Sequence, residues 1–363
     1  MKILFISDLY PVKSSEKTTP RTLYNFVKEW EELGHSVTVL KPNFLLNSFI
    51  RKKPFYQTGQ YDGVFNANYL LPFMGNVKNR AKNIFNEHYD IVIAHMPSGI
   101  LFADKLGVPF VAGVHVSDLL VLTSPVYRIY FKPKLLKALR NARAIACRSY
   151  VIKDKLLSLY PEFEEKTFVA PSGVDEKYII NKFSREINPQ ALRVVTCANF
   201  KKRKNIDKLI LALKGFDNIE LTVIGDGKER KNLEDLDKNV KFLGRLPNEK
   251  VLDEMRKSDI FVLPSVGETF GMVYLEAMAS GCIVVCTKND GIDGIIQDGV
   301  NGFTVLPDAG SIRNLFLKIK NCRREKLSDI RANSLETIKQ YTQKVCSKAY
   351  LDNIHKFGFN DII

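Results

Sequence analysis

Ile260-Phe-Val-Leu-Pro-Ser-Val-Gly-Glu-Thr-Phe-Gly-Met-Val-Tyr-Leu-Glu-Ala-Met-Ala-Ser-Gly281 is the stretch whose reading decides the fold. Its first four residues are apolar without a break, as in a strand buried on both faces. Pro264-Ser265 ends that run, a loop carrying Gly267 and Glu268 follows, and a helix begins near Gly271. A strand feeding a helix in this way is half of a βαβ unit. The free N–H groups near Gly271, Met272 and Val273 point at the strand's carboxyl end, and the helix dipole adds positive potential there. That end suits a phosphate group, and glycine at 271 lets the backbone approach it closely. Glu268 precedes the helix and Glu276 lies within it. A carboxylate at a helix start is stabilising in any protein, so this pair alone specifies little.

The same alternation runs outward in both directions. Apolar, β-branched runs predict strands at 2–7, 37–40, 90–95, 109–115, 144–147 and 167–170 in the first half. Those of the second half fall at 193–198, 220–225, 241–243, 260–264, 283–287 and 302–305. Helical patterns separate them, so the fold class is α/β with doubly wound parallel sheets. Leu33-Gly34-His35 closes the first helix on a glycine. The polar stretch 181–190, with Pro189, reads as a linker. The expected organisation is therefore two Rossmann-like domains, 1–185 and 186–340, facing a central cleft. A closing helix in 341–363 is expected to pack back on the first domain. Ligands of open α/β sheets bind beyond the carboxyl ends of the strands, so such a cleft can hold two substrates.

Bulk properties narrow the class. The 363 residues exceed one compact core, and 45% hydrophobic with 26% charged residues excludes a disordered chain. Lys and Arg total 54 against 40 Asp and Glu, a formal charge of +14 that favours phosphorylated ligands or anionic membrane surfaces. No nucleic-acid-binding motif accompanies that charge, and nucleic acid is not an expected partner. The six cysteines form no Cys-x-x-Cys pair and suit free thiols in a reducing compartment. No signal peptide and no span of about 20 apolar residues is evident, so a cytoplasmic protein is expected. Two segments, 43–55 and 119–140, mix apolar, aromatic and basic residues in a way that suits either an interfacial helix or a core-facing stripe with a basic outer face.

Pro264-Ser-x-x-Glu-x-Phe-Gly-x-x-x-x-Glu-Ala-Met-Ala-Ser-Gly281, continuing into Asp298-Gly-Val-Asn-Gly302, resembles the signature of retaining GT-B glycosyltransferases of family 4. Other segments carry the same resemblance. Val223-Ile-Gly-Asp-Gly227 is similar to the family's strand–loop–helix element, and Phe242-Leu-Gly-Arg-Leu246 to the segment whose backbone meets the nucleobase. Cys197-Ala-Asn-Phe-Lys-Lys-Arg-Lys-Asn-Ile-Asp207 aligns with the family's Gly-Arg-Leu-x-x-x-Lys-Gly element, whose Arg and Lys hold the donor diphosphate. Lys204 falls on that Lys. Asn199 falls on that Arg, so one charge is missing, and Arg203 or Lys202 is in reach to replace it. In the first domain, Val111-Ala-Gly-Val-His-Val-Ser-Asp118 resembles the family's strand-end His with an Asp nearby; His95, at another strand end, is the rival. The first loop departs from the family, with Ser14-Ser-Glu-Lys-Thr-Thr-Pro-Arg21 where paired glycines are usual; Lys13, Lys17 and Arg21 supply charge there.

The resemblance implies a nucleoside-diphosphate sugar as co-substrate, with no cofactor and no metal. Asp235-Leu-Asp237 lies in a charged helical stretch and reads as surface. The implied catalytic residues are His115, Glu268 and Lys204. The implied donor-binding residues are Asn199, Lys204, Gly225, Asp226, Gly227, Leu243, Arg245, Glu268, Phe270, Gly271, Met272, Val273 and Glu276, with Glu276 on the ribose and Glu268 on sugar hydroxyls. The acceptor would be a saccharide or lipid-linked hydroxyl in bacterial capsule, exopolysaccharide or lipopolysaccharide synthesis, met at the inner face of the cytoplasmic membrane. Two other functions fit the pattern: a nucleotide-sugar 2-epimerase of the same fold, and a non-catalytic nucleotide-sugar-binding partner.

Overall fold

A computed structural model describes residues 1–16, 19–44, 56–69, 84 and 87–359. Lys17 and most of segment 43–55 lie outside the described residues. The chain divides into two compact units: Met1–Arg148 with Ile152–Pro171 and Cys346–Ile363, and Ser149–Val151 with Ser172–Val345.

The first unit is built on strands β1 (Lys2–Ser7), β2 (Ser36–Phe44), β3 (Gly59–Tyr61), β4 (Val64–Tyr69), β5 (Ile91–His95), β6 (Phe110–Val114), β7 (Ala144–Cys147) and β8 (Thr167–Val169). They form one sheet in the order β3-β4-β2-β1-β5-β6-β7-β8. All neighbours are parallel except β3 with β4. β5 and β6 are buried along their whole length, as their unbroken apolar runs require. The β3–β4 pair is absent from the sequence reading because Asn66 and Asn68 interrupt the apolar pattern. Both are buried, and their amide groups donate: Asn66 Nδ2 to Gln57 O at 3.0 Å and Asn68 Nδ2 to Tyr56 O at 2.8 Å.

The C-terminal helix Gln343–His355 contributes Tyr350, Leu351 and Ile354 to the interior of the first unit. The Tyr350 ring lies 5.3 Å from Trp30 and 5.6 Å from Phe26, centre to centre, both edge-on. Trp30 Nε1 donates to Ser347 O at 3.0 Å, which satisfies its only polar atom.

The second unit holds β9 (Leu192–Cys197), β10 (Ile219–Ile224), β11 (Lys241–Gly244), β12 (Ile260–Leu263), β13 (Ile283–Thr287) and β14 (Gly302–Val305). Their order is β11-β10-β9-β12-β13-β14, parallel throughout. The stretch 181–190, expected to be a linker, is part of this unit, and the change of unit falls at Pro171–Ser172. Ile187 is buried in one apolar cluster of this unit, Phe183 packs against the other, and Arg185 Nε donates to the buried Asp259 carboxylate at 3.0 Å. Its polar composition hides these anchors.

Candidate active site

In the second unit the chain runs from β9 outward to β11, then crosses back and runs from β12 outward to β14. The order reverses between β9 and β12. Ligands of open α/β sheets bind in the crevice at the strands' carboxyl ends beside such a point. The loops leaving β9 and β12 are laced together there. Asn205, with a left-handed backbone (φ 52°), donates from Nδ2 to Pro264 O at 2.8 Å, and Val266 N–H donates to Arg203 O at 2.8 Å.

This lacing brings the basic turn Lys202–Lys204 to Glu268. One carboxylate oxygen, Glu268 Oε1, accepts from Lys204 Nζ, from Arg203 Nη1 at 2.8 Å and from Ser265 Oγ at 2.5 Å. The Lys204 and Glu268 side chains are each only 13% exposed. Burial pushes the Glu268 carboxyl up, but the Lys204 ammonium beside it, helped by Ser265 and Arg203, holds it below the usual carboxylate range. From the other side, Asp290 accepts the backbone N–H of Gly267 and of Glu268, each at 2.8 Å. Ser265 stands in the Pro264-Ser-x-x-Glu motif without a role assigned from it; Asp290 lies outside that motif and is found only as a neighbour of Glu268.

The helix after this loop is Met272–Ala279. Gly271 caps it with φ 91°, and a Cβ there would lie 2.5 Å from the Tyr274 ring. That ring is buried, and its hydroxyl donates to Leu263 O at 2.8 Å, tying the helix's first turn to the end of β12. Met272 and Val273 are half-buried at the helix start. Phe270, expected among the donor-binding residues, puts its ring into the core, which leaves its backbone as the group available to a ligand. Glu276 is mostly enclosed, and burial raises its carboxyl above the usual range. Among the described residues no side chain bonds or pairs with it.

The Gly225-Asp226-Gly227 turn leaves β10 and lies directly on the loop carrying Asn199. Phe200 N–H donates to Asp226 O at 2.9 Å, and Gly225 N–H to Gly244 O at 2.8 Å. Leu243 is half-buried and Arg245 exposed beyond the end of β11. Asn199, Lys204, Gly225–Gly227, Arg245 and Glu268–Glu276 thus all follow carboxyl ends of strands in one sheet, and Leu243 lies at the end of β11 itself. Asp235 is not among them; it pairs with Lys238 at 3.0 Å in an exposed stretch. Among the described residues no group of three His, Cys, Asp or Glu side chains could hold a metal ion.

In the first unit, His115 caps the helix Val116–Thr123 at the end of β6, and its N–H donates to Asp118 Oδ2 at 2.8 Å. His115, which the resemblance implies as a catalytic residue, is enclosed in this structure. Its ring is buried, with Nε2 3.0 Å from His95 Nδ1, and His95 Nε2 lies 3.1 Å from the Tyr350 hydroxyl. The two rival histidines are partners. Gly113 makes this pairing possible, since a Cβ there would fall 2.1 Å from the His95 ring. Burial, followed for His95 by its neighbour His115 and for both by Arg148, holds both rings well below the usual histidine range, so both are neutral.

Two family models match the chain: glycosyltransferase family 4 over residues 19–178, and glycosyl transferases group 1 over residues 178–337. An uncharacterized glycosyltransferase of Methanocaldococcus jannaschii is 31% identical over 266 residues, spanning 68% of this chain and 72% of that one. The chain belongs to the GT-B glycosyltransferases. Its activity is glycosyl transfer, and the 2-epimerase alternative is not favoured. This glycosyltransferase is also 23% identical to an alpha-monoglucosyldiacylglycerol synthase of Acholeplasma laidlawii, across 98% of each chain. Its fold matches that of Anabaena HepE, solved in complex with UDP-glucose, at a TM-score of 0.67 and 19% identity, over 98% of this chain and 100% of that one. The group 1 model takes in every donor-side residue named above, and the family 4 model takes in His95 and His115.

Proposed function

We propose that this glycosyltransferase binds a nucleoside-diphosphate sugar at the carboxyl ends of β9 and β12 and transfers the sugar with retention to an acceptor hydroxyl. The observation that carries the reading is the convergence of Lys204, Arg203 and the start of helix Met272–Ala279 at one reversal of strand order. In this reading Lys204, Arg203 and the N–H groups of Gly271, Met272 and Val273 neutralise the diphosphate without a metal or cofactor. Arg203 supplies the charge missing at Asn199; it, rather than Lys202, already meets Glu268. Glu276 takes the ribose diol, and the backbone at Leu243 and Arg245 takes the base.

Glu268 is the internal anion that holds both cations before the donor arrives. An incoming diphosphate shares those cations and frees the carboxylate for sugar hydroxyls. The bond from the anomeric carbon to the phosphate oxygen then breaks while the bond to the acceptor oxygen forms on the same face. The acceptor's proton passes to the departing phosphate. Orientation and stabilisation of the leaving charge supply the acceleration. For His115 to touch the sugar, its ring must leave His95.

The UDP-glucose complex of HepE makes UDP-glucose the first donor to test, and the glycolipid synthase relative supports a lipid-linked or saccharide acceptor. We place the reaction in bacterial cell-surface polysaccharide or glycolipid assembly, at the inner face of the cytoplasmic membrane. The test is the anomeric configuration of the product by proton NMR, with lipid-linked and saccharide acceptors. Retention is expected. Inversion, or donor binding without turnover on any acceptor, would contradict the reading.

A further inference from the structure

Helix Val116–Thr123 and helix Phe131–Asn141 bury their apolar stripes in the first unit: Leu119, Val121 and Leu122 on one, Leu135, Ala138 and Leu139 on the other. The basic outer face that this packing leaves on the second helix is that of an ordinary amphipathic helix. The turn between them is different. Pro125–Tyr127 forms one 3-10 turn, and around it Val126 is 84% and Ile129 93% exposed, with Leu120 and Tyr130 about half so. Aliphatic side chains held this far out of a folded unit bury nothing. Arg128, Lys134 and Lys137 stand exposed around them, and Lys134 Nζ sits 3.5 Å from the centre of the Tyr130 ring. From Leu119 to Asn141 the sequence holds five cations and no carboxylate.

We propose that this turn is a membrane-docking wedge: Val126, Ile129 and Tyr130 enter the headgroup region of an anionic bilayer, and Arg128, Lys132, Lys134 and Lys137 bind its phosphates. It deepens the membrane location in the proposed function, yet it stands on exposure and charge in the first unit and needs no donor site. Arg140 pairs with Glu162 at 3.5 Å, and no carboxylate of the segment itself balances the other four cations, which selects the occupant. A protein partner reads a patterned surface, whereas a bilayer with acidic headgroups offers continuous negative charge above an apolar layer. Lysine and arginine stems can lie along the boundary with their charges at the phosphates.

The test uses the full chain and vesicles of phosphatidylcholine, alone or with roughly one-third phosphatidylglycerol, read by co-sedimentation without donor (about 0.1 M salt, where surface charges still act). Binding to the anionic vesicles is expected, with little to the neutral ones. Val126→Asp with Ile129→Asp should weaken it about tenfold or more. Arg128→Glu with Lys134→Glu should weaken it by a similar factor and abolish the preference for anionic lipid. If the aspartate pair lowers the thermal midpoint, Ile129→Gln replaces it, with a severalfold loss expected. No binding by the wild type, equal binding by folded variants, or a wild-type dimer that these variants dissociate would each overturn the wedge. Donor-dependent thermal stabilisation should be unchanged in the same variants, so failure here and failure of the donor site are read separately.

Discussion

Glu268 Oε1 takes hydrogen bonds from an ammonium, a guanidinium and a hydroxyl, with the carboxylate and the ammonium mostly buried and the guanidinium partly exposed. A carboxylate so placed organises cations for another anion. Lys204→Ala removes one charge-assisted contact to the donor diphosphate, each worth roughly 1.5–3 kcal/mol. Donor affinity should therefore fall about 10–100-fold, measured by calorimetric titration, with the fold retained because Arg203 and Ser265 still satisfy Glu268. The His95–His115 pair makes a separate prediction. Both rings are held neutral in the folded chain, whereas the unfolded chain binds protons on them below about pH 6.5. Their contribution to stability is thus present above that pH and lost as pH falls, by about 1.4 kcal/mol per pH unit for each ring. Urea unfolding at pH 7.5 and 5.5 should show the loss, and His95→Asn should shrink it. The long motifs around Lys204, Glu268 and Glu276 single them out in the sequence, and the structure brings the first two into contact. The histidine pair was not legible there, since it depends on Gly113 of a neighbouring strand and on Tyr350 more than two hundred residues away.

At the scale of elements, every strand run read from the sequence is a strand; β5, β6, β7, β12 and β13 are buried along their whole length, while β11, at the sheet edge, is not. The β3–β4 pair escaped that reading because its interior asparagines donate to nearby backbone, and Asn66 to Asn68, instead of presenting apolar side chains. The β12-to-helix junction is where element geometry meets function. Gly271→Ala forces an alanine into a left-handed backbone and into the Tyr274 ring, which should cost about 1–3 kcal/mol. It should also displace the amides assigned to the diphosphate, so donor affinity should fall with stability. Tyr274→Phe removes only the bond to Leu263 O and should cost about 1 kcal/mol. Thermal unfolding of the two variants, with and without donor, checks both.

For the whole molecule, the sequence placed the two units but not the join between them. Polar residues at 181–190 suggested a linker, while Arg185 and Ile187 anchor that stretch to the second unit. The end of the chain returns to the first unit, where Tyr350 packs on Trp30, the one tryptophan of the chain. Truncation after residue 342 should expose Trp30, shift its fluorescence to the red and destabilise the first unit; an unshifted spectrum would contradict the packing. The central claim is that the β9–β12 edge is the donor site. It is tested most directly by titrating uridine, guanosine and adenosine diphosphate sugars into the wild type, Lys204→Ala and Glu276→Ala, beginning with UDP-glucose. The account predicts saturable binding of at least one donor to the wild type and at least tenfold weaker binding by both folded variants. Binding of equal strength in all three proteins, or binding of no donor by the wild type, would contradict it.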